Sequence, residues 1–288
     1  MIMQDYEAIF GDQFADFRQS MDHHFGDYPC LPAKLPENRE RMETFARDGV
    51  VILPDHFSAE IIEAARQRVH LMALALQAGS DILNDIPDSC KDRDLPYGAF
   101  RIYEIDKFYG DVCAPIRDDA VIADLVQSYM SNQAGIQSMA VELRTQSEGL
   151  DGYMTANNPM PHADHMFRQV KVFTLLEDVN EDNGPMVYWT GTQKDEEWRW
   201  SNDYMRFVGL SPFNADRNFS EYMMNTMDDN NPEVRRITCT GTAGTVIIAD
   251  VRGVHRASMV NSGHRLHVYT QHRMFAGADY SLGGKSPG

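Results

Sequence analysis

Pro161-His162-Ala163-Asp164-His165, followed closely by Val170-Lys171-Val172-Phe173-Thr174-Leu175-Leu176, sets two metal-ligating residue types just ahead of a strand-like run. In an extended chain, residues two apart point to the same face, so the His162 imidazole and the Asp164 carboxylate can converge on one ion. Alone the pair says little, because ten histidines in 288 residues produce His-x-Asp by chance. Its company says more. His255 follows the apolar strand Thr245 to Asp250 across the short turn Val251 to Val254, and Arg265 comes ten residues later at the start of the next strand. Two histidines and one carboxylate leave three positions of an octahedron open, a pattern that favours iron(II) over zinc. Arginine carries a permanent, planar charge, so Arg265 can anchor the distal carboxylate of a keto acid held on that metal.

Outward from this stretch the chain has a steady β rhythm: Met139 to Leu143, Val170 to Leu176, Met186 to Trp189, Thr245 to Ala249 and Leu266 to His272, separated by turn residues. That rhythm predicts a jelly roll, with a core barrel over about 138–275. Upstream, Glu37 to Ala46 reads as a helix broken by Arg47-Asp48-Gly49, ahead of the short buried strand Val50-Val51-Ile52-Leu53 that Pro54 ends. Ser58 then caps a second helix with Glu60 in its first turn and Ile61, Ala65, Val69 and Met72 on one apolar face. From Asp81 to Asp111 the chain is rich in Pro, Asp and Gly, and Phe100, Ile102, Ile105 and Phe108 suggest a strand or irregular loop. Residues 198–231, rich in Tyr, Phe, Met and Asn, form an insertion that is either a binding lid or a surface excursion with its own small core. One domain is expected over 1–288, with the first ~35 residues an N-terminal extension and a Gly/Ser-rich tail after Tyr280.

A formal net charge of -17 repels polyanions, which disfavours nucleic acid and anionic membrane surfaces as partners. A compact basic pocket remains compatible with that total. No stretch approaches the ~20 apolar residues of a membrane span, and Met1 to Ser20 lacks the basic and apolar regions of a secretory signal, so a soluble, cytoplasmic protein is expected. Cys30, Cys90, Cys113 and Cys239 are scattered and form no CxxC pair, which argues for buried or incidental thiols over a zinc site or disulfide framework. Oligomeric state leaves no mark in the sequence.

Two further stretches carry a family likeness. Phe45-Ala-Arg-Asp-Gly49-Val-Val-Ile-Leu-Pro54, with the helix from Ser58, and Leu176-Glu-Asp-Val-Asn-Glu-Asp-Asn183-Gly184-Pro185, with Thr190-Gly191-Thr192-Gln193-Lys194 after it, resemble the phytanoyl-CoA dioxygenase branch of the iron(II)- and 2-oxoglutarate-dependent oxygenases. The likeness covers most of the chain. It implies a mainly β, cupin-like double-stranded β-helix with flanking α-helices. It makes His162, Asp164 and His255 the iron ligands, puts Arg265 on the C5 carboxylate of 2-oxoglutarate and sets Phe173 beside the co-substrate. The chain departs from the family in having Thr190-Gly191-Thr192-Gln193 for Pro-Gly-Ser/Thr-His, and Ala257 where a hydroxyl residue often follows the distal histidine by two, with Ser258 as the substitute.

The resemblance also implies the reaction: 2-oxoglutarate and O2 consumed, succinate and CO2 released, and an unactivated C-H bond of a small organic molecule hydroxylated. Retention of Asp164 argues against halogenation. His165 is a weaker ligand candidate, because a residue adjacent to Asp164 faces the other way in an extended chain. His264 reads as a solvated turn residue, and His267 and His272, on opposite faces of the last strand, as packing or pocket-wall residues. Substrate contacts are nominated at Arg101, Tyr103, Tyr153, Phe167, Arg168 and Trp198, each with simple packing as the alternative. No cluster of Lys and Arg is visible to receive the phosphates of an acyl-CoA, and an amine-bearing metabolite suits the acidic chain better. The competing classes are a non-catalytic ligand-binding barrel and a cupin-type isomerase or hydrolase on another divalent metal, which needs neither a keto acid nor Arg265.

Overall fold

The computed structural model describes residues 29–77, 87–95, 99–108, 110–146, 161–164, 168–194 and 234–274. Helix α1 (Arg39–Asp48) ends where Gly49 adopts a left-handed φ of 77° and returns its N–H to the Phe45 carbonyl. A side chain there would be strained and would also meet the Gln193 side chain and the Tyr188 hydroxyl at 2.5 Å, so the turn into β1 (Val50–Leu53) needs glycine. Helix α2 (Ala59–Gln77) begins just after Ser58, as its capping residue predicts, with Ala65 and Val69 buried, Ile61 packed partly buried on the same core and Ile62 buried beside it, while the Met72 side chain lies outside the described ones. Residues 29–35, expected in a loose extension, lie against the later helix α5 (Ala120–Tyr129), through Leu31 N–H to the Ser128 carbonyl and Leu35 N–H to Asp124.

The segment that read as strand or irregular loop is a hairpin, β2 (Lys91–Leu95) and β3 (Ala99–Tyr103), followed by short helices α3 (Ile105–Phe108) and α4 (Gly110–Arg117). After α5 come β4 (Ala134–Thr145), β5 (Gln169–Leu175), β6 (Met186–Trp189), β7 (Arg236–Cys239), β8 (Val246–Asp250), β9 (His255–Ala257) and β10 (His264–Met274). They form a seven-stranded sheet, order β1-β8-β5-β10-β4-β3-β2, and a three-stranded sheet, order β7-β6-β9, with every pairing antiparallel. This is the mainly β, double-stranded β-helix with flanking helices. The large sheet begins well before residue 138, because β1, β2 and β3 join it.

Side-chain alternation gives the large sheet two chemically different faces. Met139, Val141 and Leu143 of β4, Val170 and Val172 of β5, Val246 and Ile248 of β8 and Leu266 and Val268 of β10 pack on the helical layer with Phe45, Ile122, Leu125 and Tyr129. The other face looks at the small sheet, where Leu175, Ile247 and Ala249 meet Met186, Tyr188 and Cys239. Buried Asp250 ties the layers together: its carboxylate accepts from Tyr129 Oη at 2.8 Å and its carbonyl from Tyr188 Oη at 2.8 Å. All four cysteines are free thiols. No helix among the described residues is long and apolar enough to cross a membrane.

His272, near the end of β10, is buried with its Nε2 2.9 Å from Thr270 Oγ1, and desolvation pulls it from 6.5 down to about 4. Between those values the unfolded chain takes up a proton that the fold refuses, so this contribution is complete above about pH 6.5 and is lost as pH falls towards 4. Urea unfolding of the metal-free protein is expected to show stability falling over that window, with a shallower fall in His272→Gln.

Candidate metal centre

The centre is built on the turn between β8 and β9. Gly253 donates its N–H to the Asp250 carbonyl at 2.9 Å, and a Cβ at Gly253 would lie 1.8 Å from the Tyr188 hydroxyl that binds the same carbonyl. Only glycine fits there. The Gly253 carbonyl in turn accepts from His255 Nδ1 at 2.9 Å, which fixes the ring and leaves Nε2 with its lone pair for a metal. Thr192 Oγ1 steadies the same turn by accepting from Val254 N–H at 2.8 Å and donating to the Trp189 carbonyl at 2.6 Å.

Residues 161–164 dock on this turn as a short extended segment. His162 and His255 exchange main-chain hydrogen bonds of 2.8 and 2.9 Å, and Asp164 N–H donates to the Val251 carbonyl at 2.8 Å. Ala163 faces the other way into a small core with Val187, Trp189 and Val254, so its neighbours His162 and Asp164 share the opposite side with His255. Asp164 Oδ1 lies 3.5 Å from His162 Nε2 and 3.9 Å from His255 Nε2, and the three ligating atoms are all within 4.8 Å of one another. An ion with bonds of about 2.1 Å bridges a span close to that. Asp164 Oδ2 is taken by Lys171 Nζ at 2.6 Å, which leaves Oδ1 for the histidine side.

The charge states suit ligation. Burial, then the neighbouring His162, pulls His255 down to about 4, so its imidazole is neutral at ordinary pH. Burial pushes the Asp164 carboxyl up, but the Lys171 ammonium, the His162 hydrogen bond and the two imidazoles outweigh it and hold the group well below the usual carboxylate range. The neutral His255 imidazole, the His162 imidazole and one ionised carboxylate on one side form a donor set that fits iron(II) with open positions.

Beside this set, the same inner face carries buried charge. Glu142 of β4 accepts from Arg144 Nε at 2.6 Å, from Arg265 Nη2 at 3.1 Å and from Arg101 Nε, while Arg265 Nη1 donates to the Gly184 carbonyl. Asn183 secures that corner by donating to the carbonyls of Asp178 and His264. Burial, followed by the Arg144 charge, lowers Arg265 to about 10, and burial with Arg265 nearby lowers His267 to about 3. Arg265 Nε and His267 Nδ1 are buried without a hydrogen-bond partner among the described residues. An orphaned guanidinium N–H beside two further arginines fits a carboxylate such as the distal one of 2-oxoglutarate.

The family profile of phytanoyl-CoA dioxygenase (PhyH) matches residues 45–267 of this chain. The chain belongs to the phytanoyl-CoA dioxygenase family. It is therefore a 2-oxoglutarate-dependent oxygenase of the iron-dependent class, with O2 as oxidant. An ectoine dioxygenase from Stutzerimonas stutzeri (strain A1501) is 24% identical over 230 residues, 76% of this chain and 71% of that protein. Among solved structures, iron-bound EctD from S. alaskensis aligns with a TM-score of 0.57 at 15% identity, over 85% of this chain and 81% of its own. The 2-oxoglutarate-dependent epimerase SnoN from nogalamycin biosynthesis aligns with a TM-score of 0.53 at 15% identity, over 83% and 84%. Such low identities show the fold.

Of the residues that the family resemblance nominates, His162, Asp164 and His255 come together, and Arg265 lies on the inner face of the large sheet with Glu142. Phe173 shares that inner face, its ring 5.5 Å from His267 and 5.8 Å from Tyr269. Arg101 is in the Glu142 cluster, and Tyr103 lies two residues along the same strand, opposite Ala140. Ser258 leaves β9 with its N–H on the Pro185 carbonyl. Arg168 turns to the helical layer, donating to the Tyr129 carbonyl at 2.9 Å with its guanidinium 5.1 Å from that ring, which takes it away from the centre. His264 is paired with Glu177 at 2.7 Å rather than simply solvated. Tyr153, Phe167, Trp198, His165 and the insertion 198–231 lie outside the described residues. The departure at Gln193 has a structural role: its Nε2 donates to the Ala46 and Arg47 carbonyls at the end of α1.

Sequence reasoning missed Glu142, Arg144, Lys171 and Tyr269. Charged residues at alternate positions in an apolar strand, Glu142 and Arg144, were the available signal, since such groups enter a core only when paired. Gly253→Ala is expected to displace the carbonyl that orients His255 and weaken iron(II) binding by about tenfold or more, and Asp164→Ala to weaken it further, by anaerobic calorimetry.

Proposed function

We propose that His162, Asp164 and His255 hold iron(II), that Arg265 grips the C5 carboxylate of 2-oxoglutarate, and that the enzyme hydroxylates an unactivated C-H bond of a small-molecule substrate with release of succinate and CO2. The observation that carries this reading is the convergence of two imidazoles and one ionised carboxylate, together with a buried arginine on the inner face whose Nε has no partner among the described residues. Iron and 2-oxoglutarate, when bound, supply the oxidising chemistry.

The chain's own residues bind, orient and shield. The Gly253 carbonyl holds His255 in one tautomer, and Lys171 keeps Asp164 ionised and turned by one oxygen towards the histidines. Arg265 is almost wholly desolvated, so its attraction for a carboxylate is stronger than at a surface. Phe173, His267 and Tyr269 pack ring against ring on the same inner face as Arg265, which limits water there. The names of the relatives, a dioxygenase acting on ectoine and an epimerase, support a small organic substrate and leave the outcome to the groups that hold it.

Iron(II)-loaded enzyme with 2-oxoglutarate and O2 is expected to form succinate. In Arg265→Ala, kcat/KM for 2-oxoglutarate should fall by about a hundredfold or more, since truncating one partner of a buried charge pair costs heavily. Metal-dependent turnover of some substrate without 2-oxoglutarate, unchanged in that variant, would establish the isomerase or hydrolase alternative instead.

A further inference from the structure

The two oxygens of the Asp164 carboxylate have different partners. Oδ1 faces the histidines, 3.5 Å from His162 Nε2 and 3.9 Å from His255 Nε2, while Oδ2 accepts from Lys171 Nζ at 2.6 Å. The backbone brings that lysine within reach. Asp164 N–H donates to the Val251 carbonyl at 2.8 Å and Val251 N–H to the Gln169 carbonyl at 2.9 Å, so the segment carrying Asp164 is laid against the start of β5. Lys171 stands two residues further along that strand on the same face as Gln169, between Ala249 of β8 and Gln271 of β10. Its ammonium also lies 5.8 Å from the centre of the Tyr269 ring, and its side chain is 22% exposed, so the charged hydrogen bond to Oδ2 is formed where little water competes.

An ammonium beside a divalent ion repels it, so Lys171 does not stand there to tighten metal binding. Its effect is on how the carboxylate binds. A carboxylate holds a metal through one oxygen or chelates it through both. On the function proposed above, the metal needs three open positions, two for a chelating keto acid and one for O2, and chelation by Asp164 would take one of them. We propose that Lys171 is a positioning residue that withholds Oδ2 from the metal, so that Asp164 gives a single bond and the third position stays open to the co-substrates. Pulling Oδ2 onto the metal would leave a buried ammonium without its carboxylate, a loss that the strained second bond of a four-membered chelate does not offset.

This inference rests on the metal and co-substrate roles proposed above, and two measurements on Lys171→Met, which keeps the stem and removes the charged donor, separate them. Anaerobic calorimetry with iron(II) and then 2-oxoglutarate is expected to show iron(II) held at least as tightly as in wild type and 2-oxoglutarate weakened by about tenfold or more. Damaged packing would weaken both, and parallel loss of both would overturn the proposal, as would unchanged 2-oxoglutarate affinity. The second measurement is the infrared difference spectrum on adding iron(II), with carboxyl-labelled aspartate, because one-oxygen binding separates the two carboxylate stretches more widely than chelation does. Wild type should show the wide separation and Lys171→Met the narrow one. A narrow separation in wild type, which needs no variant to fold, or the same separation in both proteins would overturn the role of Lys171. Failure of iron-loaded wild type to bind 2-oxoglutarate would overturn the proposed function instead, while the infrared comparison still decides how Asp164 is held.

Discussion

The candidate metal centre depends on a pair of main-chain hydrogen bonds between His162 and His255. They join a short segment from before β5 to the turn that closes β8, residues 93 positions apart in the chain, and they set the two imidazoles side by side before any metal arrives. The turn can receive that segment because Gly253 leaves room for Tyr188, whose hydroxyl binds the Asp250 carbonyl. Asp250 is also held by Tyr129 from the helical layer. Ligand geometry is thus inherited from the packing of helices, large sheet and small sheet together.

The second organising feature is the alternation of the large sheet. One face is mainly apolar and closes the helical core, so the intervening residues on β4, β5 and β10 fall on the inner face. On that face the chain places Glu142, Arg144, Lys171, Arg265 and His267, each buried or nearly so. Their mutual pairing keeps the buried charges tolerable.

Much of this was legible in the sequence, for physical reasons. The His-x-Asp pair announced itself because period-two geometry lets both side chains share a face, and the apolar run to Asp250 marked a central strand ahead of His255. The hairpin of β2 and β3 was not legible: Lys91-Asp92-Arg93-Asp94-Leu95 lacks apolar alternation because β2 is an edge strand, which needs no second buried neighbour. Lys171 was hidden inside a run that reads as core, and its partnership with Asp164 across seven residues depends on how the loop between them folds. Arg168 illustrates the converse. Its position near the metal motif suggested a pocket contact, but a one-step difference in strand face sends it to Tyr129.

The measurement that tests the central claim most directly is the anaerobic visible absorption spectrum on adding iron(II) and then 2-oxoglutarate to the metal-free protein. The account predicts a weak charge-transfer band that appears only when both are present and is lost in His255→Ala. Iron binding with no such band at saturating 2-oxoglutarate, or a band that survives unchanged in His255→Ala, would contradict it.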